Sequence, residues 1–325
     1  MGGNAVKNVR RYSKDEYFDI VSELSSLLES KGVKFNVIEA YKNKDSFGDM
    51  DILISKGNGQ VRDLLLPQLL DELKPTDITY NSNVVSIAYK EFQIDLIFIK
   101  DKWFDFAKNY FKFNDLGNLV GRVTHKFGFK FGFDGVSYVF RDGDYVIDEI
   151  LLSHDFYEML ELFGFDSKKY QQGFDDLEDI FKFVIDSKYF NPSIYLLDNR
   201  NHIARQRDRK RKTYTAFLEY TKDIQGGYVF LPKQHYLEMI LQQYPDFKKA
   251  YDEASIKNEE RKIIKSKFNG LNISELTGLT DKELGMFIAK YKSSLVNYQS
   301  FILDNSQETI DNSILTFFNS LGENT

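Results

Sequence analysis

Three aspartates interrupt strands otherwise suited to burial. The segments Ser46-Phe47-Gly48-Asp49-Met50-Asp51-Ile52-Leu53-Ile54 and Phe92-Gln93-Ile94-Asp95-Leu96-Ile97-Phe98-Ile99 carry the aliphatic and aromatic residues of buried strands, with acid set among them. In an extended chain Asp49 and Asp51 point to one face, and Met50 and Ile52 to the other. Asp95 lies in a second strand able to run beside the first, with Ile94 and Leu96 facing away. An ionised carboxylate among apolar side chains is costly unless positive charge pairs with it. The expectation is a three-carboxylate cluster on one face of a sheet, holding a pair of divalent ions; its oxygen ligands suit Mg²⁺, with Mn²⁺ as the alternative. Asp142-Gly143-Asp144 repeats the Asp-x-Asp spacing, but with glycine at its centre it reads as a polar hairpin turn.

The elements around these strands follow from periodicity. Ser13-Lys14-Asp15-Glu16 is a capping-box signature, and Tyr17, Ile20, Val21, Leu24, Leu27 and Leu28 recur at helical spacing until Gly32. Residues 33–40, 49–55, 83–89 and 91–99 read as strands and 59–73 as a Leu-rich helix, which makes a small mixed sheet with helices on one face. Helical spacing returns from Trp103 to Val123, and Phe127 through Val139 reads as aromatic, turn-rich β structure. The Phe-Gly alternation there is read as core packing rather than a base-stacking platform. From residue 213 to 320 the chain is mostly helical, with breaks at Pro232 and Pro245 and a second capping box at Thr280-Asp281-Lys282-Glu283.

The absence of Cys excludes disulfides, thiolate zinc sites and a cysteine nucleophile. The four histidines, His125, His154, His202 and His235, have no metal-site spacing. No apolar run approaches the roughly eighteen residues needed to cross a bilayer, and the N-terminal segment is polar and basic. The expectation is a soluble, cytoplasmic protein with no membrane partner.

Gly48-Asp49-Met50-Asp51 with Asp95 on a neighbouring strand resembles the acid motif of the DNA polymerase beta superfamily of nucleotidyltransferases. Downstream, Tyr110-Phe111, Asp115, Asn118 and Arg122 are similar in order and spacing to the nucleotide-pocket residues of the family-X polymerases. Asp176-Leu177-Glu178-Asp179-Ile180-Phe181, before Tyr189 and Pro192, resembles their closing thumb segment. The similarity spans roughly residues 33–195. A short segment from Phe268-Asn269-Gly270 through Ile288 is faintly similar to a helical tail of the CCA-adding and poly(A)-adding enzymes.

The resemblance implies an α+β fold in three parts: a nucleotidyltransferase palm with an N-terminal helix (1–100), a thumb-like nucleotide- and primer-handling subdomain (101–198), and a basic segment with a helical C-terminal domain (199–325). It implies that Asp49 and Asp51 bridge two Mg²⁺ ions and that Asp95 holds the ion beside the attacking hydroxyl. Tyr110 and Phe111 would lie against the sugar, Asp115 and Asn118 would approach the incoming base, and Arg122 would touch the template strand. Two positions depart from the family pattern. Ile38-Glu39 stands where the triphosphate-holding turn usually has Gly-Ser, so Lys42 and Lys44, with Ser46 and Gly48 beside the acids, are the expected phosphate contacts. Gln93 stands where the family has a basic residue near the primer.

The formal net charge is −6, yet Arg200, His202, Arg205, Arg207, Arg209, Lys210, Arg211 and Lys212 crowd one short segment in which Asp208 is the only acid. Binding depends on the local field, so this segment is expected to hold a phosphate backbone. Together these readings give a metal-dependent nucleotidyltransferase, most like a family-X DNA polymerase, that takes a nucleoside triphosphate and extends a nucleic-acid 3′-hydroxyl with release of pyrophosphate. The alternatives are an untemplated RNA-end nucleotidyltransferase of the tRNA type and a non-catalytic nucleic-acid-binding protein that keeps the fold, for which Glu39 is the main argument. Transfer of a nucleotide to a protein or small molecule is a further reading.

Overall fold

The computed structural model describes residues 4–57 and 61–322. With 56% helix and 17% strand, the chain is α+β. It divides into two compact units, one built from the chain up to Val139 together with Leu151–Tyr244, the other from Phe140–Ile150 together with the chain from Pro245 onward. The basic segment, expected to open a separate domain at residue 199, belongs to the first unit. Among the described residues, no helix is long and apolar enough to cross a membrane.

The first unit begins with strand β1 (Tyr12–Ser13), helix α1 (Lys14–Ser30), and strands β2 (Phe35–Val37), β3 (Ser46–Phe47) and β4 (Asp49–Ser55). Helix α2 (Val61–Leu73) and strands β5 (Asp77–Asn81), β6 (Val84–Tyr89) and β7 (Phe92–Ile99) follow. Residues 59 and 60 of the expected Leu-rich helix lie outside the described residues. Ser13 caps α1 reciprocally with Glu16, as its motif requires.

Five strands form one sheet in the order β2-β4-β7-β6-β5. The central pair, β4 and β7, is parallel and places Asp51 opposite Asp95 and Asp49 opposite Gln93. Alternation along these strands gives the sheet two unlike faces. Met50, Ile52, Ile54, Ile94, Leu96 and Phe98 bury against Tyr17, Ile20, Leu24 and Leu28 of α1 and Leu65, Leu66, Leu69 and Leu73 of α2. Each fully buried aliphatic side chain contributes about 1.5–3 kcal/mol relative to exposure. Helices were expected on this face alone. On the opposite face, however, Leu53, Ile97 and Ile99 are covered by Phe104 and Ala107 of helix α3 (Phe104–Phe111). The acid-bearing face is thus apolar at one end, and the three aspartates stand beyond that apolar cover.

The expected helix from Trp103 to Val123 is broken. After α3 the chain turns before helix α4 (Leu116–Lys126), and Phe113 and Asn114 both take positive φ, 60° and 62°. Left-handed backbone costs about 1–2 kcal/mol per ordinary residue. Here the Phe113 ring is buried edge-on against Tyr170 and Phe174, and its amide donates to the Glu39 carbonyl at 3.0 Å. This packing holds the turn and sets the start of α4.

A three-stranded sheet follows, β8 (Phe129–Gly132), β9 (Gly135–Asp142) and β10 (Tyr145–Ser153), with the turn between β9 and β10 at Asp142-Gly143-Asp144 as expected; Phe140–Ile150, which includes this turn, belongs to the second unit. Phe127, Phe129 and Phe131 are core residues. The first unit is completed by α5 (Phe156–Leu162), α6 (Ser167–Gln172), α7 (Leu177–Ile185), α8 (His202–Arg209), α9 (Lys212–Tyr220) and α10 (Lys233–Gln243). In the second unit, α11 (Pro245–Lys267), α12 (Gly270–Thr277), α13 (Asp281–Ser294), α14 (Tyr298–Asp304) and α15 (Gln307–Gly322) surround a core that includes Phe268, Ile273, Phe287, Tyr291, Ile302, Ile310 and Ile314. Thr280 stands at the N-cap of α13, but its side chain makes no capping bond, so the second expected box does not form.

Candidate active site

Asp49, Asp51 and Asp95 are half-buried on the same face of the central strand pair. Asp49 and Asp51 line a cleft of about 1820 Å³ in the first unit. Burial pushes the Asp51 carboxyl up to about 8, with the charges of Asp49 and Asp95 adding to the rise and Lys44 opposing it. Asp95 is also raised, chiefly by burial, against hydrogen bonds from Ser86 and Gln93 that favour its charged form. Ser86 lies directly opposite Asp95 on β6. Gln93 Nε2 donates to both Asp95 oxygens at 3.0 Å.

One cation enters this cluster. Lys44 is half-buried, with Nζ 4.6 Å from the Phe47 ring centroid. Burial lowers its pKa against the pull of Asp49 and Asp51. Three acids facing one lysine leave the floor short of positive charge. Their donor set is all carboxylate oxygen, the chemistry of a hard divalent cation. The residues therefore fit Mg²⁺ in charge and in ligand type, although among the described residues no three Asp, Glu or His side chains converge on a common point.

Tyr110 and Phe111, at the end of α3, both line the cleft. The Phe111 ring stacks on Phe133, centroids 5.9 Å apart. Tyr110 is held from the other side by Gly117, where an added Cβ would lie 2.5 Å from the Tyr110 carbonyl oxygen and 3.1 Å from its ring. Glycine is needed at 117 because the two helices approach so closely there.

Asp115 and Asn118 also line the cleft, and both are engaged. Asp115 pairs with Arg211, and Asn118 Nδ2 makes a long contact of 3.5 Å with Asp208 Oδ1. Asp208 is fully buried and pairs with Arg200 at 2.8 Å and Arg207 at 3.3 Å. Arg200 is itself buried, 7% exposed. It was expected to meet phosphate; instead its charge is spent inside the unit on Asp208. Arg122 lies away from the cleft lining, with a buried Nε that has no hydrogen-bond partner among the described residues.

The remaining basic residues separate by position. Arg205 donates to the carbonyls of Leu197, Asp198 and Arg200, tying down the turn before α8. Arg209 is exposed and does not line the cleft, whereas Arg207, Lys210, Arg211 and Lys212 do. Ile203, Gln206, Arg207 and Lys210 all line it, at the i, i+3, i+4, i+7 spacing of one helix face. The opposite face of α8 carries buried Asp208.

Lys42 does not line this cleft: its Nζ pairs with Asp175 at 2.6 Å, and its amide donates to the Phe174 carbonyl at 3.0 Å. Of the two expected phosphate lysines, only Lys44 is beside the acids. Glu39 is at the rim and is paired with Lys112 at 2.8 Å. Ser46 and Gly48 line the cleft, and Arg11 donates to both the Ser46 hydroxyl and its carbonyl.

Sequence reasoning missed Arg10, Arg11 and Tyr17, which also line the cleft. Tyr17 stacks on Phe47 at 3.8 Å between centroids, and burial, with the charges of Asp51 and Asp49, raises its hydroxyl well above the ordinary value. It reads in the sequence as one more apolar position of α1. Only the pairing of β1 with β3, which sets Tyr12 opposite Phe47, turns this region toward the acids. No protein-family model matches the chain, and no curated protein matches it.

Proposed function

We propose that the protein is a metal-dependent nucleotidyltransferase that transfers a nucleoside monophosphate to a nucleic-acid 3′-hydroxyl. The observation that carries this reading is the parallel register of β4 and β7, which gathers Asp49, Asp51 and Asp95 on one face of the sheet, with Asp49 and Asp51 lining a large cleft and Asp95 beside them behind its lining. In this reading the five-stranded sheet is the palm, and the helices from α3 to α7 form the thumb-like part. The cleft exceeds the roughly 300–1,000 Å³ of a typical small-molecule site, so it has room for a nucleotide and the end of a second substrate.

Bound Mg²⁺ would neutralise the triphosphate and lower the pKa of the attacking hydroxyl. The chain's own part is positioning. Asp49 and Asp51 hold the charge-deficient floor with Asp95 beside them, Lys44 approaches the same acids, and Tyr110 with Phe111 walls the sugar and base side. In the transfer, the 3′-oxygen forms a bond to the α-phosphorus while the bond to the β-phosphate oxygen breaks and pyrophosphate departs. The hydroxyl proton leaves toward Asp95. Rate comes mainly from orientation and fixed charge rather than from a covalent intermediate.

Glu39 was the main argument for a non-catalytic protein, because an acid near the phosphate turn would repel triphosphate. Its pairing with Lys112 weakens that argument. The deciding experiment is incubation with Mg²⁺, each labelled NTP and dNTP, and primer, primer–template and tRNA acceptors, with Asp95→Asn as the control. Transfer that the control loses supports the reading. Transfer on primer–template alone selects the family-X-like activity, and transfer on tRNA alone selects RNA-end addition. No transfer to any acceptor, or full activity in Asp95→Asn, rejects the assignment.

A further inference from the structure

The segment before α1 is built into the acid cluster. The Ala5 amide donates to Gln93 Oε1 at 2.8 Å, and Gln93 Nε2 donates to both oxygens of Asp95 at 3.0 Å. A carboxamide has an oxygen end and a nitrogen end, and these partners settle which is which: an N–H needs the oxygen, and a carboxylate needs the NH₂. Gln93 is 3% exposed, so neither bond competes with bulk water. Ala5 is anchored in turn. Its carbonyl accepts from Thr79 Oγ1 at 2.9 Å, and the Lys7 amide donates to Asp77 Oδ2 at 2.8 Å. Val6 is buried, the Arg10 amide donates to the Glu91 carbonyl at 2.8 Å, and Tyr12 stacks on Phe92 at 4.3 Å.

We infer that Gln93 is a positioning residue for Asp95, and that the N-terminal segment Asn4–Tyr12 is the strap that fixes it. A neutral amide suits this task. Glutamine restrains both oxygens and leaves the carboxylate its charge and its outward lone pairs. The geometry stands independently of function; the consequence for catalysis rests on the nucleotidyltransferase reading.

Two measurements on the full chain test this. In metal-free protein with ¹⁵N-labelled glutamine, the Gln93 side-chain amide is assigned by its loss in Gln93→Leu. Ala5→Pro removes the amide donor while keeping the carbonyl that Thr79 uses, and Asp95→Asn removes the acceptor charge. Each is expected to shift the Gln93 amide pair and speed its exchange with water. An amide pair that neither substitution moves overturns the tether. In the second measurement, Mn²⁺ titrations followed by electron paramagnetic resonance should show affinity falling roughly ten- to hundred-fold in Ala5→Pro and in Gln93→Leu. In an Asp95→Asn background, Gln93→Leu should add little, because it acts through Asp95. Unchanged affinity in Gln93→Leu, or a full additive loss in the double variant, overturns the inference. If the wild-type protein binds no Mn²⁺, it is the nucleotidyltransferase reading that fails, and the amide spectra still decide the tether.

Discussion

Asp51→Asn should stabilise the metal-free protein, and by more as the pH rises. Burial and the neighbouring acids push the folded-state Asp51 carboxyl up to about 8, against a reference value of 3.8. Between these values the folded chain keeps a proton that the unfolded chain has released. The unfolded state then binds fewer protons, so stability falls with increasing pH across this window and levels off above about pH 8. Four units correspond to a ceiling of about 6 kcal/mol at roughly 1.4 kcal/mol per unit. Asp51 shares its field with Asp49 and Asp95, and the site relaxes around a charge, so about 2–4 kcal/mol is the expected loss. The carboxamide introduced by Asp51→Asn has nearly the shape of the carboxylate and no charge to bury, so the variant should escape most of this loss.

The assay is urea unfolding in EDTA from pH 5 to 9, followed by Trp103 fluorescence. Trp103 is the chain's only tryptophan and lies in the first unit, so the signal reports the unit that contains the acids. Wild-type stability should drop over this range relative to Asp51→Asn, with the gap narrowing toward pH 5 and closing only below about pH 4, where the unfolded carboxyl is itself protonated. Mg²⁺ at about a hundred times its Kd should restore about 2.7 kcal/mol to the wild type by mass action, and much less to the variant. Parallel curves in EDTA would refute the argument that Asp51 carries an unpaired, buried charge.

Two further outcomes follow from the cleft. Gly117→Ala should destabilise the first unit by about 1–3 kcal/mol, because the new methyl overpacks the Tyr110 carbonyl. If the proposed transfer holds, displacing Tyr110 should also change the ratio of ribo- to deoxyribonucleotide incorporation; an unaltered ratio in a variant of altered stability would separate Tyr110 from sugar choice. Replacing Arg207, Lys210 and Lys212 together with Ala should flatten the slope of log affinity against log salt by roughly two units on single strands and three on duplex. An identical slope would mean that the cleft-facing side of α8 and the start of α9 do not meet phosphate.

What the sequence disclosed, and what it hid, follows from the range of the interactions involved. The alternation in Asp49–Ser55 and Phe92–Ile99 is local, and it correctly divides apolar core from acid. The capping box at Ser13 and the turn at Gly143 are equally local, and both form. β5 was overlooked because Asp77–Asn81 is an edge strand that pairs only with β6 and keeps polar residues exposed. The basic run was read as one surface because sequence shows charge without its partners. Asp208, the lone acid in that run, was the available signal: an acid among so many cations is the natural centre of a buried ion pair. Once it takes Arg200 inside, α8 is locked to the first unit, and the run divides into structural and cleft-facing residues.

The cleft carries two opposite shortages of charge. At and just behind its floor, Asp49, Asp51 and Asp95 outnumber Lys44, and the Asp51 and Asp95 carboxyls are raised by burial first and by the charge of their acidic neighbours second. On its wall, Lys210 and Lys212 have no acidic partner among the described residues, and Arg211 has Asp115 alone. The two do not cancel directly, since the floor is partly buried and the wall cations are exposed to water that screens them over about a Debye length. A single ion could relieve only one of the two shortages. Under the proposed function, a divalent cation bound to a polyphosphate would bring positive charge to the floor and negative charge to the wall in one ligand, and a nucleic-acid backbone would extend the same complementarity along α8. The net charge of −6 is no obstacle, because attraction is decided within about a Debye length of these side chains rather than by the total.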